Sequence, residues 1–215
     1  HHLPAVSFER VLAQAKARYV VGLTATPQRR DGHHPITGMQ LGPVRFAIEP
    51  KSQAAQRPFA YKLLVRETGF KTSSEATAGI QELYAALATD EKRNRLILND
   101  VIQALEQGAS PILLTERKDH LEYFACQLMK FTRHLVVLQG GMSTKERRGV
   151  REQIAAIPNR EERLVLATGR YIGEGFDDAR LDTLFLALPV SWKGTLIQYT
   201  GRLHRLHPGK AEVRI

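Results

Sequence analysis

The segment Arg163-Leu-Val-Leu-Ala-Thr-Gly169 combines an apolar run with a hydroxyl residue and a glycine at its end. A short apolar run without polar alternation is typical of a strand that is buried on both faces of a parallel sheet. Further glycines at 173 and 175 permit a tight loop directly after this strand. Because ligands of open α/β sheets bind at the carboxyl ends of strands, the segment predicts a fold class and the edge that carries a site.

Strand and helix patterns alternate over most of the chain, which predicts an α/β fold whose parallel sheet is covered by helices on both faces. The predicted strands are 19–23, 60–66, 112–114, 134–138, 164–167, 183–188 and a last strand that begins at Val213. The predicted helices are 7–17, 76–87, 91–107, 118–130, 143–157 and 195–206. Residues 28–58 are rich in Pro, Gly and Gln, and we expect irregular structure there.

Composition favours a polyanionic partner. The 215 residues include 31 Lys and Arg against 22 Asp and Glu, a formal net charge of +9, although a generally basic surface would give the same excess. The last stretch adds to this interpretation, since it holds five basic residues and one acid: Lys193, Arg202, Arg205, Lys210, Arg214 and Glu212. The single cysteine, Cys126, is predicted to lie in the core and favours a reducing cytoplasm. Apolar runs are too short to predict a membrane span.

The segment Gln198-Tyr-Thr-Gly-Arg-Leu-His-Arg205 places three polar side chains together. On a helix, Gln198, Arg202 and Arg205 are at i, i+4 and i+7, so they share one face. Guanidinium groups bind phosphate oxygens in a planar fork, and an arginine can also stabilise the charge that develops during phosphoryl transfer. The pattern indicates a polyphosphate site or, alternatively, a solvated basic helix end.

Five segments, taken in order, resemble motifs of superfamily 2 helicases of the DEAD/DEAH-box type. Thr24-Ala-Thr26 resembles motif III, Pro111–Arg117 motif IV, Leu138–Arg147 the motif that follows, Thr168–Asp177 motif V and Gln198–Arg205 motif VI. The resemblance covers almost the whole chain and is nearest to the restriction-translocase-like branch. It implies a RecA-like sheet of the P-loop NTPase fold, the helicase C-terminal domain.

The resemblance also implies a domain organisation and a function. Residues 1–50 would be the remnant of a first, ATP-binding RecA-like domain, 51–58 a hinge, and 59–215 the second RecA-like domain. The whole protein would be an ATP-dependent nucleic-acid helicase or translocase. The alternative is a non-catalytic nucleic-acid-binding or regulatory module that keeps the fold without the motor.

Residue roles are carried over from the motifs. The predicted catalytic residues are Arg202, Arg205 and Gln198. The predicted ATP-binding residues are Gly175, Asp177 and His1, and the predicted interdomain coupling residues are Thr24 and Thr26. The predicted nucleic-acid-binding residues are Thr115, Arg117, Gly141, Lys145, Arg147, Thr168 and Gly169. The Gly140-Gly141 pair precedes a capping box, Ser143 to Glu146, whose free amides suit a phosphate.

Two signatures of a complete motor do not occur in this sequence. No G-x-x-x-x-G-K-[ST] phosphate loop is present, and His1 either matches the last residue of an Asp-Glu-x-His site or is a tag remnant. We therefore expect ATP and Mg²⁺ to act in the full-length protein, with neither bound by this chain alone, which is predicted to be inactive. The histidine pairs have no zinc-like spacing, so no metal site is predicted. The expected partners are nucleic acid, with DNA preferred over RNA, the first RecA-like domain, and nuclease or defence-system subunits.

Overall fold

The computed structural model describes residues 6–24, 32, 34–48, 57–71, 79–169, 177–190 and 193–215. Its contacts divide the chain into two compact units. The smaller unit comprises His1–Arg57 with Ser191–Gln198, and the larger unit comprises Pro58–Val190 with Tyr199–Ile215. The assignment of 1–50 to a first RecA-like domain and of 51–58 to a hinge stays a prediction.

The larger unit contains a six-stranded sheet in which every pair of neighbours is parallel. Its strands are β1 Ala60–Lys62, β2 Pro111–Thr115, β3 Leu135–Leu138, β4 Leu164–Thr168, β5 Thr183–Leu186 and β6 Glu212–Arg214. The spatial order is β1-β6-β5-β2-β4-β3, so β2 and β4 are both interior strands. Every residue of β2 and β4 is buried, as their continuous apolar runs predict.

Helices alternate with most of the strands, and apart from α2 their bounds lie close to the predicted ones. They are α1 Val6–Gln14, α2 His34–Leu41, α3 Ile80–Thr89, α4 Glu91–Glu106, α5 Lys118–Leu128, α6 Thr144–Ala156 and α7 Lys193–Leu203. The end of α4 is a Schellman motif, since Gly108 has φ +76° and the Ala109 N–H donates to the Ala104 carbonyl at 3.0 Å. Within the described ranges, no helix is long and apolar enough to cross a membrane.

The core consists of two apolar clusters, whose residues alternate along β2 and β4. Ile112, Leu114 and Val165 belong to the first cluster, whereas Leu113 and Leu166 belong to the second. Because successive side chains of a strand point to opposite faces, the two clusters lie on opposite faces of the sheet. Helices α6 and α7 contribute to the first cluster, and α4 and α5 to the second. The predicted α/β fold with helices on both faces is confirmed.

The smaller unit departs from the prediction in two places. Residues 19–23 are irregular rather than a strand, and Tyr19 and Leu23 are 76% and 88% exposed. A parallel strand needs a neighbour to complete its hydrogen bonds, and no strand of the described chain pairs with this segment. Helix α2 occupies part of the region expected to be irregular. Helix α2 contacts α1 through a 3.1 Å hydrogen bond from Gln40 Nε2 to Glu9 Oε1.

The predicted strand 60–66 is shorter in the structure, because only Ala60–Lys62 pairs with β6. The strand lies at the edge of the sheet, and β6 ends at Arg214, so the ladder stops there. One further hydrogen bond joins the Leu64 N–H to the Ile215 carbonyl at 2.7 Å. The side chains of 63–65 are exposed.

Candidate functional site

The carboxyl ends of β2, β3 and β4 bring the predicted nucleic-acid motifs together. Thr115, the last residue of β2, is in register with Thr168, the last residue of β4. The loop after β3 reaches the same edge, where the Gly140 N–H donates a 3.1 Å hydrogen bond to Thr168 Oγ1. Parallel strand order therefore joins segments that are 28 or more residues apart in the chain.

The Thr115 side chain is buried and hydrogen-bonded within the protein. It is 2% exposed, and its hydroxyl lies 3.0 Å from Nδ1 of His120, a buried residue of α5. His120 Nε2 lies 2.9 Å from Oδ1 of Asn94, whose amide donates to the Ala88 carbonyl at 2.7 Å. This network makes the Thr115 side chain a fixed point at the end of β2, and the role of Thr115 in nucleic-acid binding stays a prediction.

His120 is neutral in this network. Burial, followed by the nearby Arg93 guanidinium, lowers the pKa of His120 from 6.5 to about 4. A neutral ring with its proton on Nε2 donates to Asn94 and accepts the Thr115 hydroxyl proton on Nδ1. Thr115, His120 and Asn94 then all have hydrogen-bond partners. The network fixes the position of Thr115, from which the next loop begins.

Arg117 lies at the end of this loop, and its side chain is half-buried. Its Nε and Nη2 atoms form a two-point pair with the Asp119 carboxylate, at 3.0 Å and 2.6 Å. The Arg117 hydrogen bond is the main reason that the pKa of Asp119 is lowered. A phosphate bound by Arg117 would take the place of the Asp119 carboxylate and accept the same two hydrogen bonds from the planar guanidinium group.

The start of helix α6 presents backbone and basic groups at the same edge. Ser143 and Glu146 form the predicted capping box, which is confirmed by bonds from both sides. Gly141 has φ +94°, a conformation that other residues rarely adopt. Lys145 and Arg147 are exposed, and Lys118 Nζ would lie 3.8 Å from a Cβ atom built on Gly141.

The predicted nucleotide contacts Asp177 and Arg205 are joined to each other. Arg205 Nε and Nη2 each lie 3.1 Å from an oxygen of Asp177, and the two side chains are 55% and 49% exposed. Helix α7 ends at Leu203, so Arg205 lies in the turn after it and does not share a helical face with Gln198 and Arg202, contrary to the expected spacing. Both of those residues are half-buried in α7.

Lys210 holds this turn in place. Its Nζ donates to the carbonyl oxygens of Leu203 and Arg205, at 2.8 Å and 2.9 Å, and lies 5.6 Å from the centre of the Phe59 ring. Burial lowers the pKa of Lys210 to about 8, against the opposing effect of Asp182 and Asp178. A cation at a helix C-terminus offsets the helix dipole and satisfies terminal carbonyls. The sequence gives no local signal for this role.

Asp177 is anchored by its neighbour in the chain. Asp178 is buried, and Arg180 Nε donates to it at 2.8 Å while Nη2 donates to the Ile154 carbonyl near the end of α6 at 3.0 Å. The fully buried Arg163 lies 3.6 Å from the same carboxylate. Burial raises the pKa of Asp178, in opposition to Arg163. Neither arginine was predicted from the sequence, since Arg163 lies 15 residues before Asp178 and Arg180 also reaches the Ile154 carbonyl of another element.

Several predicted residues lie elsewhere or outside the described chain. Thr24 is exposed in the smaller unit. Gly175, His1 and Thr26 lie outside the described residues. Gly169 is buried directly after β4.

The expectation that Cys126 lies in the core is wrong. Cys126 is exposed, because it lies on the outer side of α5. The basic residues near the end of the chain are largely engaged within the fold, since Lys210 is buried and Arg214 contacts Glu212 and Gln107. Fewer basic side chains of this stretch are therefore available to a polyanion than its net charge indicates.

Known solved structures share this fold. The ATP-dependent Type ISP restriction-modification enzyme LlaBIII bound to DNA aligns with a TM-score of 0.58 at 17% identity, over 83% of this chain and 13% of that one. The crystal structure of T4 UvsW aligns with a TM-score of 0.52 at 16% identity, over 65% of this chain and 28% of that one.

Curated relatives match part of the chain. Transcript termination protein A18 of Vaccinia virus (strain Ankara) is 28% identical over 121 residues, 55% of this chain and 24% of the relative. The DNA 3'-5' translocase XPB2 of Sulfurisphaera tokodaii is 28% identical over 93 residues, 43% of this chain and 17% of the relative. The chain thus spans about a quarter or less of these relatives. The family model described as helicase conserved C-terminal domain matches residues 93–207, more than half of the chain, and the chain belongs to that family.

Proposed function

We propose that this chain is part of an ATP-dependent nucleic-acid helicase or translocase and supplies its second RecA-like domain. The observation that carries the proposal is the convergence at one edge of the sheet, where the Gly140 amide bonds to Thr168 and Arg117 follows the adjacent strand. Membership of the helicase C-terminal domain family supports the motor. Within this proposal, we place the chain in the restriction-translocase-like branch because the residues of its motifs resemble that branch.

Nucleic acid would bind this edge through its phosphates. Arg117, Lys118, Lys145 and Arg147 offer basic side chains, and Gly141 lets the chain turn closely beneath a ligand. Contacts of this kind fix position without reading sequence, and their strength falls with salt. DNA is the proposed substrate, in line with the name of the archaeal relative as a DNA translocase.

The nucleotide would be met by Asp177 and Arg205. A carboxylate can accept from ribose hydroxyls, and a guanidinium suits phosphate oxygens. The two groups must separate first, which costs little because an exposed ion pair is worth only about 0–1 kcal/mol. Arg202 and Gln198 are proposed to act beside Arg205, and Gly175 and His1 to complete the nucleotide contacts.

No residue of the described chain is proposed as a magnesium ligand. No group of three or more His, Cys, Asp or Glu side chains in the described chain could hold a metal ion. We propose that the metal and most phosphate contacts belong to a P-loop domain of the longer protein, with Thr24 and Thr26 in the coupling between domains. The partners would be nucleic acid and that domain, together with nuclease or defence-system subunits, in the cytoplasm.

The proposal is tested by ATP hydrolysis in the full-length protein that contains this chain. We expect DNA to stimulate turnover in the full-length protein, whereas this chain alone shows no turnover above a heat-inactivated sample, since phosphoryl transfer needs the groups that it lacks. DNA binding by a full-length protein that never hydrolyses ATP would instead establish the non-catalytic alternative.

A further inference from the structure

We propose that the Tyr199 hydroxyl, bonded to Glu116 beside Gly169, is a positioning contact that couples nucleic-acid binding at the sheet edge to the arginines that follow Tyr199. The inference rests on the proposed motor function. It assigns a role to two side chains that none of the family motifs marked as functional.

The contact joins a buried phenol to a surface carboxylate. Tyr199 lies in α7, is 4% exposed and packs its ring in the first core cluster. Its hydroxyl is hydrogen-bonded to Glu116, and burial together with that carboxylate raises the pKa of Tyr199. The phenol therefore keeps its proton and donates it to Glu116.

Gly169 completes the junction because it leaves room for the other two groups. A Cβ atom built on Gly169 would collide with the Tyr199 hydroxyl oxygen and with Glu116 Oε1. The ends of β2 and β4 and the middle of α7 therefore meet at one point. Glycine is required here by close approach, since its φ is not positive.

The position of each partner suggests a coupling role. Glu116 stands between Thr115, which His120 fixes, and Arg117, which faces the proposed nucleic-acid edge. Tyr199 precedes Arg202 by three residues, so both lie on neighbouring turns of one helix. A shift of the loop around Arg117 would be transmitted through Glu116 to this helix. Ring packing alone would be served equally well by phenylalanine, whereas the hydroxyl links helix α7 to the loop after β2.

The test uses the Tyr199→Phe variant of the full-length protein, which keeps the ring and removes the hydroxyl. We expect ATP turnover without DNA to stay within about twofold of the wild type, and the stimulation by DNA to fall about fivefold or more, the lower range of measured couplings between sites. Tyr84→Phe is the matched control, because the Tyr84 hydroxyl also donates one hydrogen bond, to the Pro189 carbonyl at 2.9 Å. That variant should keep normal stimulation.

Two variants of Glu116 separate coupling from general damage. Glu116→Gln keeps an oxygen that can accept the hydroxyl and should retain most of the stimulation, whereas Glu116→Ala should lose it. Tyr199→Phe combined with Glu116→Ala should be no worse than either alone, because both remove the same contact. Additive losses would overturn the inference.

The same measurements distinguish failure of the proposed motor function from failure of the coupling role of Tyr199. If the wild type shows no DNA-stimulated turnover, the proposed function is wrong and this inference falls with it. If the wild type is stimulated and Tyr199→Phe matches it, the coupling role alone is wrong. A lowered melting temperature in Tyr199→Phe, with stimulation restored at lower temperature, would also overturn the coupling role in favour of a purely structural bond.

Discussion

The guanidinium of Arg205 and the carboxylate of Asp177 form a two-point ion pair, with both nitrogen–oxygen distances at 3.1 Å. The residues are separated by 28 positions and meet because the turn after α7 approaches the segment before β5. Arg205 was predicted to be catalytic, and Asp177 was predicted to bind ATP. Their pairing means that nucleotide binding has to exchange one charged partner for another.

Replacement of Arg205 by alanine in the full-length protein should lower ATP turnover by about 10³-fold or more if the residue stabilises the transferring phosphoryl group. Arg202→Ala is expected to act similarly. Arg205→Lys should rescue little, because an ammonium does not reproduce the planar fork. Steady-state ATP hydrolysis at saturating DNA measures the effect.

Arg148→Ala is the matched control for this prediction, since Arg148 is an exposed arginine paired with Glu152 at 2.8 Å. It should leave turnover unchanged. The melting temperature should also change little in Arg205→Ala, because the lost ion pair is exposed. Near-normal turnover in the Arg205 variant would contradict the assigned role.

Nucleic-acid binding should weaken steeply with salt, and each lost phosphate contact should make this dependence shallower. Lys145→Ala and Arg147→Ala are each expected to reduce the slope of log K against log salt by about one. Arg66→Ala serves as control, since Arg66 pairs with Asp100 at 2.9 Å away from the motifs. Fluorescence anisotropy over a salt series provides the slopes, and identical slopes in all variants would contradict the phosphate-contact interpretation.

Acid should destabilise the fold through His120. The pKa of His120 is about 4 in the folded chain against 6.5 ordinarily, so the unfolded chain binds a proton that the folded chain does not between these values. The free energy of unfolding should therefore fall as pH drops from 6.5 to 4, by about 3 kcal/mol from this residue. NMR titration of the ring should find His120 neutral at pH 5.5, whereas a midpoint near 6.5 would refute its buried, neutral state.

The free energy of unfolding should also depend on pH in the alkaline range, because of Lys210. The pKa of Lys210 is about 8 when folded and 10.5 ordinarily, so the unfolded chain binds more protons between these values. Stability of the wild type should rise through this window relative to Lys210→Met, because folding then buries a neutral amine. Chemical denaturation at pH 8 and pH 10 of both proteins measures the difference.

Lys210→Met should also reduce ATP turnover in the full-length protein, although Lys210 contacts no substrate. The Leu203 and Arg205 carbonyls would lose their donor, and the turn that carries Arg205 would be less well fixed. Equal turnover in this variant and the wild type would show that the turn is held by other contacts.

Most of the sheet could be predicted from the chain because local patterns are enough to specify it. Continuous apolar runs marked β2 and β4, and Ser143 with Glu146 marked the start of α6. The same local reasoning failed for 19–23, where an apolar run has no neighbouring strand among the described residues. A strand forms only when another strand satisfies its backbone, and the run itself carries no information about that partner.

The sequence by itself determined the order of strands and helices, the family, and which segments carry the motifs, because these depend on residues close together in the chain. Tertiary structure alone decided which of those residues are exposed. Thr115 is closed off by His120, and Arg205 is paired with Asp177, through contacts whose partners lie on other elements or in another turn of the chain. Burial and charge pairing depend on the distance between groups in space, which residue order does not give.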